Sequence, residues 1–212
     1  MFLPLVFKGA GMRCLIIGGG DVAWRKVELL LSAGCAVTVI APCIHYGIRS
    51  AVDAQSVRWV EREFQSGDCR GYQLVIAATE RREINKIIYD ESSSLSIPVN
   101  VVDDPELCTV LFPAIWQKDP LTISVSTGGG APFMAAAVRD RLASQGSSLA
   151  RWTEIGAQFR AIVRSEIVDW NEKNLLYQRF VDAIQPGDPP DPPESKTLSD
   201  WLAWQEKVNR KV

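Results

Sequence analysis

The chain has 212 residues, of which 47% are hydrophobic, and a formal net charge of −2 at pH 7. Without a basic excess and without an apolar run near the roughly 20 residues of a membrane span, we expect neither nucleic acid nor a membrane as a partner. Five scattered cysteines form no C-x-x-C pair, which favours reduced thiols in a cytoplasmic protein. His45 is the single histidine, and we interpret it as an ordinary loop residue.

Short apolar runs alternate with amphipathic segments through the first half of the chain. The hydrophobic spacing predicts strands at residues 15–17, 36–41, 57–62, 74–78, 97–102 and 121–126. It predicts helices at residues 22–33, 81–91, 132–144, 149–167, 171–184 and 197–212. Gly34 is expected to end the first helix and Thr79 to cap the second. Because such alternation indicates βαβ units, we expect an α/β fold with a mostly parallel, Rossmann-like sheet.

The pattern changes twice along the chain. The alternation of strands and helices ends near Phe112 and Pro113, and after Gly146 the apolar spacing is wholly helical. The segment 185–194 holds five prolines, which is typical of a linker or a rigid loop. We therefore expect three regions, at residues 1–112, 113–146 and 147–212.

A glycine turn follows the first predicted strand. Residues 18–23 read G-x-G-x-x-A between an apolar run and an amphipathic segment, a pattern typical of dinucleotide-binding sites. Such a turn lets the backbone approach a pyrophosphate and directs a helix N-terminus at its charge. The second strand ends without an Asp or Glu for the ribose and without an Arg for a 2′-phosphate. We therefore expect the backbone of residues 41–44 to hold the ribose, and NAD rather than NADP to bind.

Two further segments contain groups that suit chemistry. Asp103 and Asp104 follow a predicted buried strand, where a carboxylate can accept a proton; alternatively, the pair shapes a turn before Pro105. Ser124, Ser126 and Thr127, with the glycines after them, suit an anionic group, although a strand-to-helix turn requires glycine in any case. The spacing alone leaves both alternatives open.

Four runs together resemble the dehydrogenase/ferrochelatase module at the start of siroheme synthases. They are CLIIGGGDVA at residues 14–23, followed by Arg25 and Lys26, then IAAT at 76–79, NVVD at 100–103 and SVSTGG at 124–129. Their order and spacing fit over roughly residues 2–145. The helical remainder is similar in kind but carries no recognisable motif.

The resemblance implies an NAD-dependent oxidation of precorrin-2 to sirohydrochlorin in siroheme biosynthesis. Many members also insert ferrous iron into sirohydrochlorin, so Fe2+ is a candidate second substrate. The alternatives are a dehydrogenase without chelatase activity and a non-catalytic protein that binds NAD or a tetrapyrrole. The implied organisation is an NAD-binding Rossmann domain at 1–112, a small α+β dimerisation region at 113–146 and a helical domain at 147–212, with residues 121–144 forming much of a homodimer contact.

The resemblance also implies roles for individual residues. Asp103 takes the acidic role in dehydrogenation and chelation. The expected cofactor contacts are Gly18, Gly20, Asp21, Val22, Ala23, Pro42, Cys43 and Thr79. The expected substrate contacts are Asn100, Ser126, Thr127 and Gly128. Thr127 occupies the position of a phosphorylatable serine in some relatives. No residue is expected to be a resident metal ligand.

Overall fold

The computed structural model describes residues 2–184, 191–194 and 197–209. They divide into two compact units. The first comprises the residues up to Phe112 together with Gly128–Ala131, and the second comprises Pro113–Thr127 and the described residues from Pro132 onward. Most of the prolines of the segment 185–194 lie outside the described residues. No helix in the described ranges has the length and apolar character needed to cross a membrane.

The first unit is built on a five-stranded parallel sheet in the order β3-β2-β1-β4-β5. Its strands are β1 (Arg13–Ile17), β2 (Ala36–Ile40), β3 (Val57–Val60), β4 (Leu74–Ala77) and β5 (Val99–Val101). Its helices are α1 (Asp21–Ser32), α2 (Tyr46–Asp53) and α3 (Arg82–Ser94), and a 3₁₀ turn follows at Pro105–Leu107. The predicted α/β, Rossmann-like class is confirmed.

Both faces of this sheet are buried, which explains why its strands read as continuous apolar runs. Alternate residues of β1 belong to different clusters. Cys14 and Ile16 pack in one with Val27 of α1, and Leu15 and Ile17 pack in the other with Ile88 of α3. The strand order reverses beside β1, so the carboxyl ends of β1, β2 and β4 meet around one crevice.

The second unit combines a hairpin with helices. The antiparallel strands β6 (Ala114–Lys118) and β7 (Leu121–Val125) precede α4 (Pro132–Glu166), α5 (Trp170–Ile184) and α6 (Leu198–Asn209). Aromatic rings form the core between the helices: Phe159 of α4 stacks on Phe180 of α5 at 5.0 Å between centroids and contacts Trp201 of α6 at 5.3 Å.

Several local predictions differ from the structure. Strand β6 and helix α2 were not predicted. The helix expected to end near Ser144 was also a wrong prediction, because α4 runs unbroken for 35 residues through Gly146. The Trp116 ring covers that glycine so closely that an added Cβ would lie 2.3 Å from it. The division into three regions with a boundary at 146 stays a prediction.

The predicted N-cap of helix α3, Thr79, is wrong as well. Helix α3 begins at Arg82 and its N-cap is Arg81, without a side-chain cap. The Thr79 hydroxyl instead donates to Asn85 Oδ1 at 2.7 Å and accepts from the Arg81 N–H at 3.3 Å. Thr79 therefore braces the loop between β4 and α3.

Candidate functional site

A cavity of about 1310 Å³ opens at the carboxyl edge of the first unit's sheet. The loops after all five strands contribute to its wall, as expected for a ligand site in an open parallel sheet. The cavity brings together nine of the predicted site residues: Gly18, Gly20, Asp21, Val22, Ala23, Pro42, Cys43, Thr79 and Asp103.

The three glycines of the turn after β1 serve different purposes. A Cβ on Gly18, whose φ is +122°, would lie 2.1 Å from the Ala78 carbonyl oxygen, and a Cβ on Gly19 would lie 1.9 Å from that of Cys43. These two glycines are required by the protein's own packing. A Cβ on Gly20 would meet no protein atom within 4 Å. Since Gly20 lines the cavity, its missing side chain leaves space for a ligand.

Helix α1 presents its N-terminus at this turn. Its N-cap is Gly20, and no side chain caps the first turn. Uncapped N–H groups and the helix dipole favour an anion at this point. The cradle at Gly20 and this helix start therefore fit the pyrophosphate of a dinucleotide.

The loop after β2 forms the next part of the wall. Pro42 and Cys43 are exposed there. The Ala41 carbonyl accepts a hydrogen bond from Trp59 Nε1 at 3.0 Å, and its N–H donates to Val60. Ala41 is therefore engaged within the protein, and of the rest of the segment expected to hold the ribose, Pro42 and Cys43 line the cavity whereas Ile44 does not.

Charged residues that the sequence reasoning missed also line the cavity. Arg81 Nη1 lies 3.5 Å from a carboxylate oxygen of Glu63, which follows β3, and Arg81 Nε lies 3.1 Å from Glu83. Their positions after strand ends, the same signal that singled out Thr79, would have identified Glu63 and Arg81.

The two neighbouring aspartates at the end of β5 have different environments. The Asp104 side chain is 16% exposed and pairs with Arg82 Nε at 3.2 Å. Asp103 is exposed in the cavity wall, and its φ of +61° is a left-handed conformation that Asp tolerates better than most residues. Both aspartates line the cavity, but the Asp104 carboxylate is held by Arg82, whereas Asp103 is exposed. The role of Asp103 as a proton acceptor stays a prediction.

A lysine lies behind this turn. Lys26 of α1 is half-buried, and its Nζ lies 4.1 Å from the centre of the Phe112 ring. Burial lowers the pKa of Lys26, and the nearby Cys108 and Asp103 act in the opposite direction. The ammonium group is thus close enough to Asp103 for their charges to interact.

Asn100 lies in β5, away from the cavity wall. Asn100 is 7% exposed and does not line the cavity. Its side-chain amide donates to the Val110 carbonyl at 3.0 Å and to Cys108 Sγ at 3.5 Å. Asn100 therefore supports the segment after β5, and its contact with substrate stays a prediction.

The other predicted substrate contacts lie outside the cavity wall. Ser126 and Thr127 follow β7 in the second unit, and Gly128, with φ +64°, belongs to the first. All three are exposed. Their contact with substrate stays a prediction. Among the described residues, no group of three or more His, Cys, Asp or Glu side chains is arranged to hold a metal ion.

Comparison with protein families gives two matches along the chain. The model described as "Putative NAD(P)-binding" matches residues 5–114, and that described as "Sirohaem biosynthesis protein central" matches residues 118–145. The chain belongs to the siroheme synthase N-terminal module family. The first match covers more than half of the chain and contains every residue of the cavity wall.

Curated relatives of this family cover most of the chain. A siroheme synthase from Photobacterium profundum is 35% identical over 182 residues, or 85% of this chain and 39% of that protein. One from Pseudomonas aeruginosa (strain PAO1) is 38% identical over 180 residues, or 84% and 39%. One from Methylococcus capsulatus is 38% identical over 185 residues, or 85% and 38%. The chain thus spans about two fifths of their length.

A solved structure shares the fold of the whole module. The structure titled "SirC, precorrin-2 dehydrogenase" aligns with 99% of this chain and 100% of its own, with a TM-score of 0.71 and 19% sequence identity. At that identity the likeness supports the fold, which both chains share from the Rossmann unit to the helices.

Proposed function

We propose that this chain is an NAD-dependent dehydrogenase that oxidises precorrin-2 to sirohydrochlorin in siroheme biosynthesis. The observation that carries the proposal is one cavity in which the glycine turn and the Asp103 carboxylate both form part of the wall. Family membership narrows this general dehydrogenase arrangement to the tetrapyrrole reaction.

The chain's own residues supply binding and proton chemistry. Gly20 and the start of α1 bind the pyrophosphate, and the loop after β2 at Pro42 and Cys43 binds the adenosine ribose. Bound NAD+ supplies the hydride acceptor. Oxidation of precorrin-2 releases one hydride and one proton, and Asp103 accepts the proton. The Arg82 partner keeps Asp104 out of this role.

NAD is favoured over NADP by the charges at the cavity. The two arginines of its wall are already paired, Arg81 with Glu63 and Glu83, and Arg82 with Asp104. A 2′-phosphate would have to displace these carboxylates, and Glu63 would repel it. Titration of the protein with NAD+ and NADP+, with dissociation constants from both, tests the preference.

The direct test is turnover by the purified protein supplied with precorrin-2 and NAD+. Formation of NADH together with the sirohydrochlorin spectrum is expected. Asp103→Asn is the informative variant because Asn tolerates the left-handed backbone and lacks the carboxylate charge. We expect turnover to fall by about 10²-fold or more with unchanged NAD+ affinity. Asp104→Asn is the matched control, and its loss should be much smaller.

Wild-type protein that binds NAD+ and precorrin-2 yet forms no NADH would contradict the enzyme assignment. It would favour the alternative of a non-catalytic protein that binds NAD or a tetrapyrrole. Equal losses in the Asp103 and Asp104 variants would instead contradict the division of roles between the two carboxylates.

We further propose that Asp103 serves the insertion of Fe2+ into sirohydrochlorin. Metal insertion displaces pyrrole N–H protons, and Asp103 is an exposed carboxylate of the cavity wall that, unlike Asp104, is not held in a close ion pair. Sirohydrochlorin supplied with Fe2+ or Co2+ should lose its metal-free absorbance at a rate that Asp103→Asn reduces. An unchanged spectrum in the wild type would restrict the chain to dehydrogenation.

We propose a homodimer formed largely by residues 121–144, as the family resemblance implies. Four apolar side chains spaced along α4 are 41–48% exposed: Met134, Val138, Leu142 and Leu149. An apolar helix stripe of this kind suits a second copy of the same surface. Sedimentation should give a dimer, and Val138→Glu with Leu142→Glu should give a monomer.

A further inference from the structure

The loop after β2 is attached to the middle of the glycine turn by His45. The His45 backbone N–H donates to the Gly19 carbonyl at 2.6 Å. We propose that the His45 side chain is a positioning residue that holds this turn and the start of α1 in the shape that binds the dinucleotide. The inference rests on the proposed dinucleotide site and assigns a role to a residue outside the cavity wall.

Both ring nitrogens of His45 have partners in the first unit. Nδ1 accepts a hydrogen bond from the Gly47 N–H at 3.0 Å and thereby caps α2. A neutral imidazole that accepts at Nδ1 carries its proton at Nε2, and Nε2 lies 3.5 Å from Asp21 Oδ1. Asp21 is the first residue of α1 and lines the cavity. One ring therefore joins the starts of two helices.

The ring is also held by its neighbours. It stacks on Trp24 of α1, with centroids 6.0 Å apart and an interplanar angle of 20°, and contacts Tyr46 at 4.1 Å. Gly47 is required beneath Trp24, since a Cβ there would lie 2.4 Å from the indole. The His45 side chain is only 17% exposed, so its orientation is set by packing.

These contacts exclude a direct catalytic role and favour positioning. Nδ1 accepts from the Gly47 N–H and Nε2 faces Asp21, and His45 is absent from the cavity wall. A turn that is ordered before the ligand arrives avoids the entropic cost of ordering it on binding. Loss of the ring contacts should therefore weaken dinucleotide binding while the chemical step stays intact.

Two variants test the contacts of Nδ1 and of Nε2 separately. In His45→Asn the side-chain oxygen can still cap α2, but the ring contacts and the approach to Asp21 are lost. In His45→Gln the amide can extend toward Asp21, with a weaker cap. We expect His45→Asn to raise the dissociation constant and the KM for NAD+ about tenfold, with unchanged kcat and KM for precorrin-2, and His45→Gln to have a smaller effect.

Two control experiments test whether the loss of NAD+ affinity arises through the contact between His45 and Asp21. Asp53→Ala replaces an exposed side chain at the last residue of α2, and its NAD+ affinity should stay at the wild-type value. Asp21→Asn should weaken NAD+ binding, and the double variant with His45→Asn should be less impaired than the product of the single effects, because both changes remove one interaction.

Hydrogen exchange provides a readout that needs no ligand. The amides of Gly19, Gly20 and Asp21 should exchange faster in ligand-free His45→Asn than in the wild type, with thermal unfolding nearly unchanged. Wild-type NAD+ affinity and wild-type exchange in folded His45→Asn would overturn the inference. A wild-type protein that binds no dinucleotide would refute the proposed function instead, and the exchange experiment would still decide whether His45 orders the turn.

Discussion

The two units place their apolar side chains in opposite ways. In the first, the strands are buried on both faces, and the functional groups lie where the strands end. In the second, the last three helices enclose an aromatic core, while the first half of α4 leaves Met134, Val138 and Leu142 exposed. A buried apolar run therefore indicates part of a core. An exposed apolar stripe indicates a helix face that packs against no other element of its unit.

Glycine shows the same contrast. Glycine is required at residue 19, after β1, because the Cys43 carbonyl occupies the space of a Cβ, and at residue 146, inside α4, because the Trp116 ring occupies that space. The neighbour is backbone in the first unit and a side chain from a distant strand in the second. Backbone close contacts accompany a local turn, whereas a ring from another element leaves no local pattern.

The largest expected effect concerns the aromatic core. Trp201 is 1% exposed and contacts Phe159, Phe180 and Trp204. Trp201→Ala should lower the free energy of unfolding by about 3–5 kcal/mol, as for other large core truncations. Denaturant unfolding followed by tryptophan fluorescence and by circular dichroism measures it.

Trp170→Ala is the matched control, since Trp170 is 71% exposed. Its unfolding free energy should stay within about 0.5 kcal/mol of the wild type. Equal losses in the two variants would mean that the aromatic cluster does not stabilise the second unit, and the contrast between its core and its exposed residues would fail.

Much of the first unit could be predicted from sequence because its signals are local. The run at residues 15–17 is itself part of β1, the glycines follow it, and Asp103 lies two residues after the end of β5. A parallel sheet gathers such strand ends at one edge. The contacts of Asn100 could not be predicted in this way. It lies in a strand, and its contacts depend on Val110, ten residues away, whose carbonyl accepts a hydrogen bond from its side-chain amide.

Two elements, β6 in the second unit and α2 in the first, depend on partners that no local pattern reveals. Strand β6 contains Trp116, Gln117 and Lys118 without a clean alternation, and its pairing with β7 defines it. Helix α2 is only eight residues long and is capped by the single histidine, a residue less often used there than Ser, Thr, Asp or Asn. Both elements are defined by tertiary contacts.

The glycine turn offers a prediction of intermediate size. Gly20→Ala adds a methyl group that contacts no protein atom within 4 Å, so the fold should be retained. The methyl group would occupy space in the cavity, and NAD+ affinity should fall roughly tenfold, or about 1.4 kcal/mol. Isothermal titration with NAD+ and thermal unfolding of the same sample measure both quantities.

Gly19→Ala is the contrasting variant. Its Cβ would lie 1.9 Å from the Cys43 carbonyl oxygen, so stability should fall together with binding. If Gly20→Ala bound NAD+ as tightly as the wild type, the pyrophosphate would not approach this glycine.

A smaller effect is expected in the reactivity of the cysteines. Cys43 is exposed and lines the cavity. Cys14 and Cys69 are buried, and burial raises the pKa of each thiol to about 12. Because thiolates are the reactive form, Cys43 should react first with iodoacetamide, and saturating NAD+ should slow its labelling roughly fivefold. Peptide mass spectrometry over time measures each site.

Cys43→Ser serves as the control for this labelling. The fast phase should be absent from it, while the remaining cysteines keep their slow rates. Labelling of Cys43 that NAD+ leaves unchanged would place the dinucleotide away from the loop after β2 and would contradict the proposed ribose contact.

The smallest effect concerns an ion pair in the loop between β3 and β4. Arg62 donates two hydrogen bonds of 2.7 Å to Asp68, and the Gln65 N–H donates a third at 2.8 Å. The bonds from Arg62 lower the pKa of Asp68 below its usual value, against the effect of partial burial. Since the pKa is lower in the folded state, Asp68 stabilises the protein above the unfolded-state value near 3.8, and this stability is lost as the pH falls through the folded-state value.

Asp68→Asn should therefore lower the melting temperature by about 1–3 °C at pH 7, since partly exposed pairs contribute little. The difference from the wild type should shrink as the pH falls below 4. Asp90→Asn, which breaks the exposed pair with Lys86 on α3, should change the melting temperature less at every pH. A gap between Asp68→Asn and the wild type that stays constant down to pH 2.5 would show that shape rather than charge at residue 68 orders the loop that leads into β4 and hence to the cavity edge.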